Sequence, residues 1–126
     1  MTPRFDRDPK PPGPIVQGFA QGGFAVDGGI YRALLLTPRS AHEWVPPALA
    51  DLDIASLGPI LDLQPPPEFV LLGAGAAFAF PPRPLKQSLE ERGIGLEVMD
   101  SRAAARAWGM LRSEERWIVA ALLPLT

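Results

Sequence analysis

Two places in this 126-residue sequence set side by side residue types that can do chemistry. Gly73-Ala74-Gly75 follows the apolar run Phe69 to Leu72, where glycine-rich loops cradle phosphates in α/β proteins. A dinucleotide fingerprint also needs a third glycine opening a helix. Here that position is Phe78, and Pro81-Pro82 intervene before any helix. The competing reading is that the glycines allow close backbone packing or a positive φ. Asp100-Ser101 closes a second apolar stretch, Gly95 to Met99. If the two stretches are neighbouring parallel strands, Gly73, Ala74, Gly75, Asp100 and Ser101 share one rim at the strands' carboxyl ends, where ligands of open α/β sheets bind. Arg102 and Arg106 follow at i,i+4 spacing on one face of a predicted helix. A helix N-terminus with two guanidinium groups suits an anion. Against that stand the Asp100 carboxylate, which repels an anion, and the simpler account of an N-cap followed by solvated arginines.

Other chemistry is thinly represented. There is no cysteine, hence no disulfide, thiolate nucleophile or cysteine-ligated metal. His42 is the single histidine, and Glu43 and Asp51 do not stand at metal-ligand spacing from it. No G-x-S-x-G nucleophile elbow occurs. Asp51, Asp53 and Asp62 are scattered without an acid–base pairing. No catalytic residue, metal or cofactor is therefore assigned. Trp44, beside Val45 and Pro46-Pro47, is the aromatic whose surroundings suit an exposed partner contact. The other reading of Trp44 is a cover for a sheet edge.

Elements must position these residues. Ile15 to Tyr31 alternates β-prone residues with glycines, and Val26-Asp27-Gly28-Gly29-Ile30 is a hairpin signal. A strand from Ile30 to Leu36 follows, stopped at Thr37-Pro38. Leu49, Leu52, Ile54 and Leu57 suggest a short helix over 47–57, ended by Gly58-Pro59. Phe69 to Gly73 reads as a strand buried on both faces. Pro81 to Arg92 reads as a helix with Leu85 and Leu89 inward and Gly93 as its stop. Gly95 to Met99 is a strand. Asp100 or Ser101 caps a helix with the stripe Ala104, Ala107, Trp108 and Leu111, and Trp117 to Leu123 is a last strand. The expectation is a single compact α/β domain over 15–126. It has a mixed β-sheet with helices, a βαβαβ parallel unit over residues 69–123, and Gly-rich hairpin elements in the first third.

Residues 1–14 combine prolines with alternating charge and read as a flexible tail. They lack an apolar core for a secretory signal, and Asp6 and Asp8 do not suit a transit peptide. Phe69 to Pro82 holds no charge but falls short of the ~20 residues of a membrane span. The expected location is cytoplasmic. A net charge of −2 argues against a nucleic-acid partner.

Three short blocks carry a resemblance. Leu71-Leu72-Gly73-Ala74-Gly75 resembles a "LIGTG" box. Gly93 to Asp100 resembles "GI-x-x-EVMDT", and Ala120 to Pro124 resembles a terminal "AALIP". In this order the chain, over residues 14–125, resembles the small domain-of-unknown-function family that includes mitochondrial NADH dehydrogenase (complex I) assembly factor 3 and the adipogenesis-associated small-domain proteins, with bacterial and archaeal relatives. The resemblance implies a compact α/β fold, no established enzymatic activity, and a role in assembly or interaction, with a protein such as a respiratory-complex assembly intermediate as partner. It also shows departures. Where relatives read "GAACRTYN", Ala105, Trp108 and Gly109 replace the cysteine, tyrosine and asparagine. The leading expectation is a non-catalytic interaction or assembly factor. The alternatives are a small-ligand or anion-binding protein or enzyme using the Gly73–Gly75 and Asp100–Arg106 rim, and a homo-oligomer joined through glycine-rich edge strands.

Overall fold

The structure is a computed structural model that describes residues 13–126. Most of the tail expected over 1–14 lies outside the described residues. Pro14 itself is buried, and its carbonyl accepts a 2.9 Å hydrogen bond from the Trp108 indole Nε1.

Strands β1 (Gly18–Ala20), β2 (Gly23–Val26) and β3 (Gly29–Tyr31) form an antiparallel sheet in that order. Asp27 (φ 49°) and Gly28 (φ 86°) make the β2–β3 turn, and two successive positive φ angles are what a tight right-twisted hairpin demands. Strand β4 (Leu34–Leu36) follows after a bend at Arg32-Ala33. The single strand expected over Ile30 to Leu36 is therefore divided. β3 serves the small sheet, whereas β4 pairs antiparallel with β5 (Ala41–Glu43) in a second one. The division follows partner demand: Leu34 and Leu36 are fully buried, while Ile30 is exposed.

The helix expected over 47–57 is also broken. A 3-10 turn, Leu49–Asp51, precedes α1 (Ile54–Leu57), and a second, Gly58–Asp62, follows it. Asp53 starts α1 through a capping box: its carboxylate accepts from the Ser56 N–H at 2.9 Å, and the Ser56 hydroxyl accepts from the Asp53 N–H at 3.2 Å. A local cap of this kind overrides weak apolar periodicity.

The second half follows its expected order: β6 (Phe69–Gly73), α2 (Arg83–Glu91), β7 (Gly95–Met99), α3 (Ser101–Ser113) and β8 (Val119–Leu122). The last strand is shorter than the expected Trp117 to Leu123. β6 pairs in parallel with both β7 and β8, β4 joins β8 antiparallel, and the five-stranded order is β5-β4-β8-β6-β7. This is the mixed-sheet α/β domain that the sequence implies.

Side-chain alternation along the central strands splits the core in two. Val70, Leu72, Val119 and Ala121 face α2 and the short helical turns, with Leu85, Leu89, Leu57 and Ile60. Leu71, Ala120, Leu122, Leu34 and Leu36 face α3 and the small sheet, with Trp108, Ala104, Phe24 and Val26. The five-stranded sheet is thus covered on both faces, which is why β6 and β8 read as unbroken apolar runs.

Trp44 belongs to the first of these cores. It is 8% exposed, and its indole Nε1 donates to the Ser56 carbonyl at 3.1 Å. Of the two readings of Trp44, the cover for a sheet edge describes its burial beside the outer strand β5, and the exposed residue is its neighbour Val45, at 92%. Trp44 leaves β5 on the side where α1 needs a lid, and its ring buries more apolar area there than Val45 would.

Glu68, just before β6, accepts from the Arg116 Nη2 at 2.8 Å and Nε at 3.2 Å, and from the Trp117 N–H at 3.3 Å. The guanidinium holds the Glu68 carboxyl below its ordinary value of 4.5. A carboxyl lowered by folding contributes stability above its ordinary pKa and loses it as pH falls through the lowered one. Glu68→Gln is expected to lower the urea midpoint at neutral pH, with the gap from the native protein narrowing at a pH well below the ordinary carboxyl value. Parallel urea titrations at the two pH values check this.

Candidate functional site

The strand ends expected to share a rim do meet. β6 lies between β7 and β8, so Gly73-Ala74-Gly75, Asp100-Ser101 and Leu123 emerge side by side. They are stitched together by five hydrogen bonds. Ala74 N–H donates to Met99 O at 2.8 Å, Ser101 N–H to Gly75 O at 2.8 Å, and Leu123 N–H to Gly73 O at 3.0 Å. Gly75 N–H donates to the Ser101 hydroxyl oxygen at 2.9 Å, and that hydroxyl donates in turn to Leu123 O at 2.7 Å.

Ser101 is fully buried, so both roles of its hydroxyl are spent inside the protein. A Cβ on Gly73 would stand 2.7 Å from Ser101 Oγ and 2.8 Å from Ser101 Cα. Glycine at 73 is required by this approach. Gly75 has φ 114°, a left-handed-side conformation that disfavours a side chain. Of the two readings of these glycines, the packing one describes the geometry. The helix end is occupied as well: the Asp100 carboxylate accepts from the Ala103 N–H at 2.9 Å. An anion would compete with that carboxylate for the first-turn N–H groups.

The two arginines turn elsewhere. The Arg102 guanidinium lies 5.6 Å from the centroid of the Phe19 ring on β1. Arg106, exposed, borders a shallow hollow of about 150 Å³ with Gln17 and Phe19. The seven rim residues therefore divide into a closed hydrogen-bonded knot (Gly73, Ala74, Gly75, Ser101), a helix cap (Asp100), and an exposed basic face over the small sheet (Arg102, Arg106).

His42 and Asp53 have structural partners, Asp53 in the α1 capping box. His42 Nε2 lies 2.8 Å from the Ser40 hydroxyl, which also lies 2.8 Å from Thr37 Oγ1. Thr37 Oγ1 accepts from the N–H groups of Arg39 and Ser40, so this chain of hydroxyls closes the β4–β5 turn. Among the described residues no group of three or more His, Asp and Glu side chains is placed to hold a metal ion. No helix among them is long and apolar enough to cross a membrane.

Two features escaped the sequence reading. A cleft of about 590 Å³ opens beside the knot, between the segment after β5 and the loop after β6; Arg32, Glu43, Val45, Pro46, Gly75 and Pro124 are among its walls. Phe78 and Phe80, 51% and 81% exposed, pack edge-to-face with centroids 4.9 Å apart. Their placement before Pro81-Pro82, in a segment unable to form a helix, was the available signal.

The profile of the family described as "Protein of unknown function (DUF498/DUF598)" matches residues 16–123. The chain belongs to this family. Among relatives, it is 32% identical over 111 residues to an uncharacterised protein of Rhodobacter capsulatus, covering 87% of this chain and 84% of that one. It is 28% identical over 113 residues to the zebrafish (Danio rerio) protein named NADH dehydrogenase [ubiquinone] 1 alpha subcomplex assembly factor 3. That alignment takes in 89% of this chain and 65% of the zebrafish protein, so the chain spans just under two thirds of that relative's length. A crystal structure of a Bordetella parapertussis protein superposes with a TM-score of 0.80 at 29% identity, covering 92% of this chain and 99% of that one. The family resemblance read from the three sequence blocks is thereby confirmed.

The knot is the feature of this family member most open to a stability test. Ser101→Ala strands the buried Gly75 N–H and removes the donor to Leu123 O, and is expected to cost about 2 kcal/mol. Gly73→Ala is expected to cost a comparable ~1–3 kcal/mol through overpacking against Ser101. Chemical denaturation of both variants checks the pair, with Arg106→Ala expected to stay within about 0.5 kcal/mol of the native protein.

Proposed function

We propose that this protein is a non-catalytic interaction or assembly factor. The observation that carries the reading is the closed rim. At the sheet's carboxyl edge, where an α/β enzyme of this kind holds its ligand, the Ser101 hydroxyl and the Asp100 carboxylate are committed to internal hydrogen bonds. The assembly-factor relatives support the same reading, since the similarity runs through nearly the whole of this chain. The partner is a protein, with a respiratory-complex assembly intermediate as the first class to test. The location is the cytoplasm or a membrane face reached from it. The alternative, a small ligand or anion on the Gly73–Gly75 and Asp100–Arg106 rim, has the outward turn of Arg102 and Arg106 against it.

Quantitative affinity purification of the tagged chain at native expression tests the reading. Val45→Glu and Arg106→Glu baits run alongside, because both side chains are exposed and neither change touches the core. A defined protein set is expected, depleted by at least one bait about tenfold. No enrichment over the untagged control overturns the reading, and a metabolite thermal-shift screen then becomes the direct route to the rim alternative.

A further inference from the structure

β7 is an outer strand of the five-stranded sheet, and among the described residues its far edge is unpaired. Gly95 N–H and Met99 O bond toward β6, so the intervening residues follow the parallel ladder. In that ladder Leu96 and Val98 direct their N–H and C=O groups away from β6. The same two residues show their side chains, half-buried, on the α2 face. There they form the floor of a groove of about 670 Å³ walled by Phe78, Phe80, Arg83 and Lys86. Arg83 and Lys86 are exposed, and neither is in the Arg116–Glu68 ion pair. No carboxylate lines the groove, and Glu97 stands on the opposite face of β7.

We propose that this groove takes an extended acidic segment of a partner protein, added to the sheet as a strand alongside β7. Open ladder groups supply the backbone bonds, Leu96, Val98 and the Phe78–Phe80 pair supply apolar contact, and Arg83 and Lys86 select negative charge. Exposed, uncovered edges are what natural sheets otherwise protect. Charge argues against a second copy of this chain as the occupant. Two-fold pairing of β7 would bring two Arg83–Lys86 pairs together along one face, and a register centred on Glu97 would oppose two carboxylates. The inference rests on the interaction reading above and names the chemistry of its partner.

The test is fluorescence anisotropy with the whole chain and a labelled, end-capped peptide of sequence Glu-Glu-Val-Thr-Val-Glu-Glu, against the same peptide with lysine for glutamate. Saturable binding of the acidic peptide, at least about tenfold tighter than the lysine one and weakened by salt, is expected. Arg83→Glu with Lys86→Glu is expected to remove that preference. Val98→Pro, which deletes an outward donor and no β6 bond, is expected to weaken binding of the acidic peptide; Phe80→Ala, at an exposed ring, repeats that test without touching a strand. Equal binding of both peptides, binding unchanged in the variants, or no binding overturns the proposal. So does a dimer in sedimentation velocity that Phe80→Ala dissolves, which would give the edge to a second copy. Failure here together with a specific partner set in the affinity purification would sink this groove and leave the interaction reading standing.

Discussion

The hydroxyl of Ser101 is the interaction on which the rest of the arrangement depends. It accepts from Gly75 and donates to Leu123, and so ties the ends of β6 and β8 to the start of α3. Three chain segments far apart in sequence converge on one buried oxygen. A hydroxyl can serve there because it is both donor and acceptor, and its size fits only against a glycine at position 73. The knot fixes where α3 begins, and α3 brings Trp108 onto the second core and onto the Pro14 carbonyl. The position of Pro14 is thus tied, through α3, to the knot.

The same knot shapes what the protein can do. The carboxyl edge of a parallel unit is ordinarily the place for a ligand, because strand ends and helix N-termini leave unpaired N–H groups there. In this chain the N–H groups of Gly75 and Ala103 are answered internally by Ser101 and Asp100. The cleft beside Val45 borders that same edge at Gly75 and Pro124, whereas the basic face over β1 and the groove along β7 lie away from it.

Much of this was legible before any coordinates. The β6–α2–β7–α3–β8 order followed from apolar runs separated by helical stripes with clear stops, such as Gly93 and Asp100. The β2–β3 turn followed from Asp27-Gly28, and the meeting of Gly73–Gly75 with Asp100–Ser101 followed from parallel topology. Three things were not legible, each because a distant contact decided it. The break at Arg32-Ala33 depends on which sheet each half joins. The burial of Trp44 depends on Ser56, which no local pattern ties to it. The outward turn of Arg102 depends on Phe19, a residue from the first strand of the fold. That the rim closes rather than opens required knowing that Ser101 reaches Leu123.

The strand order carries a consequence for how the molecule is made. β8, flanked by β4 and β6, is the last of the strands among the described residues to leave the ribosome. Until it arrives, β4 and β6 each offer the growing chain's surroundings a bare inner edge lined with leucines, and neither half of the core can close. The sheet is therefore completed by a four-residue segment inserted between two strands that precede it in the chain.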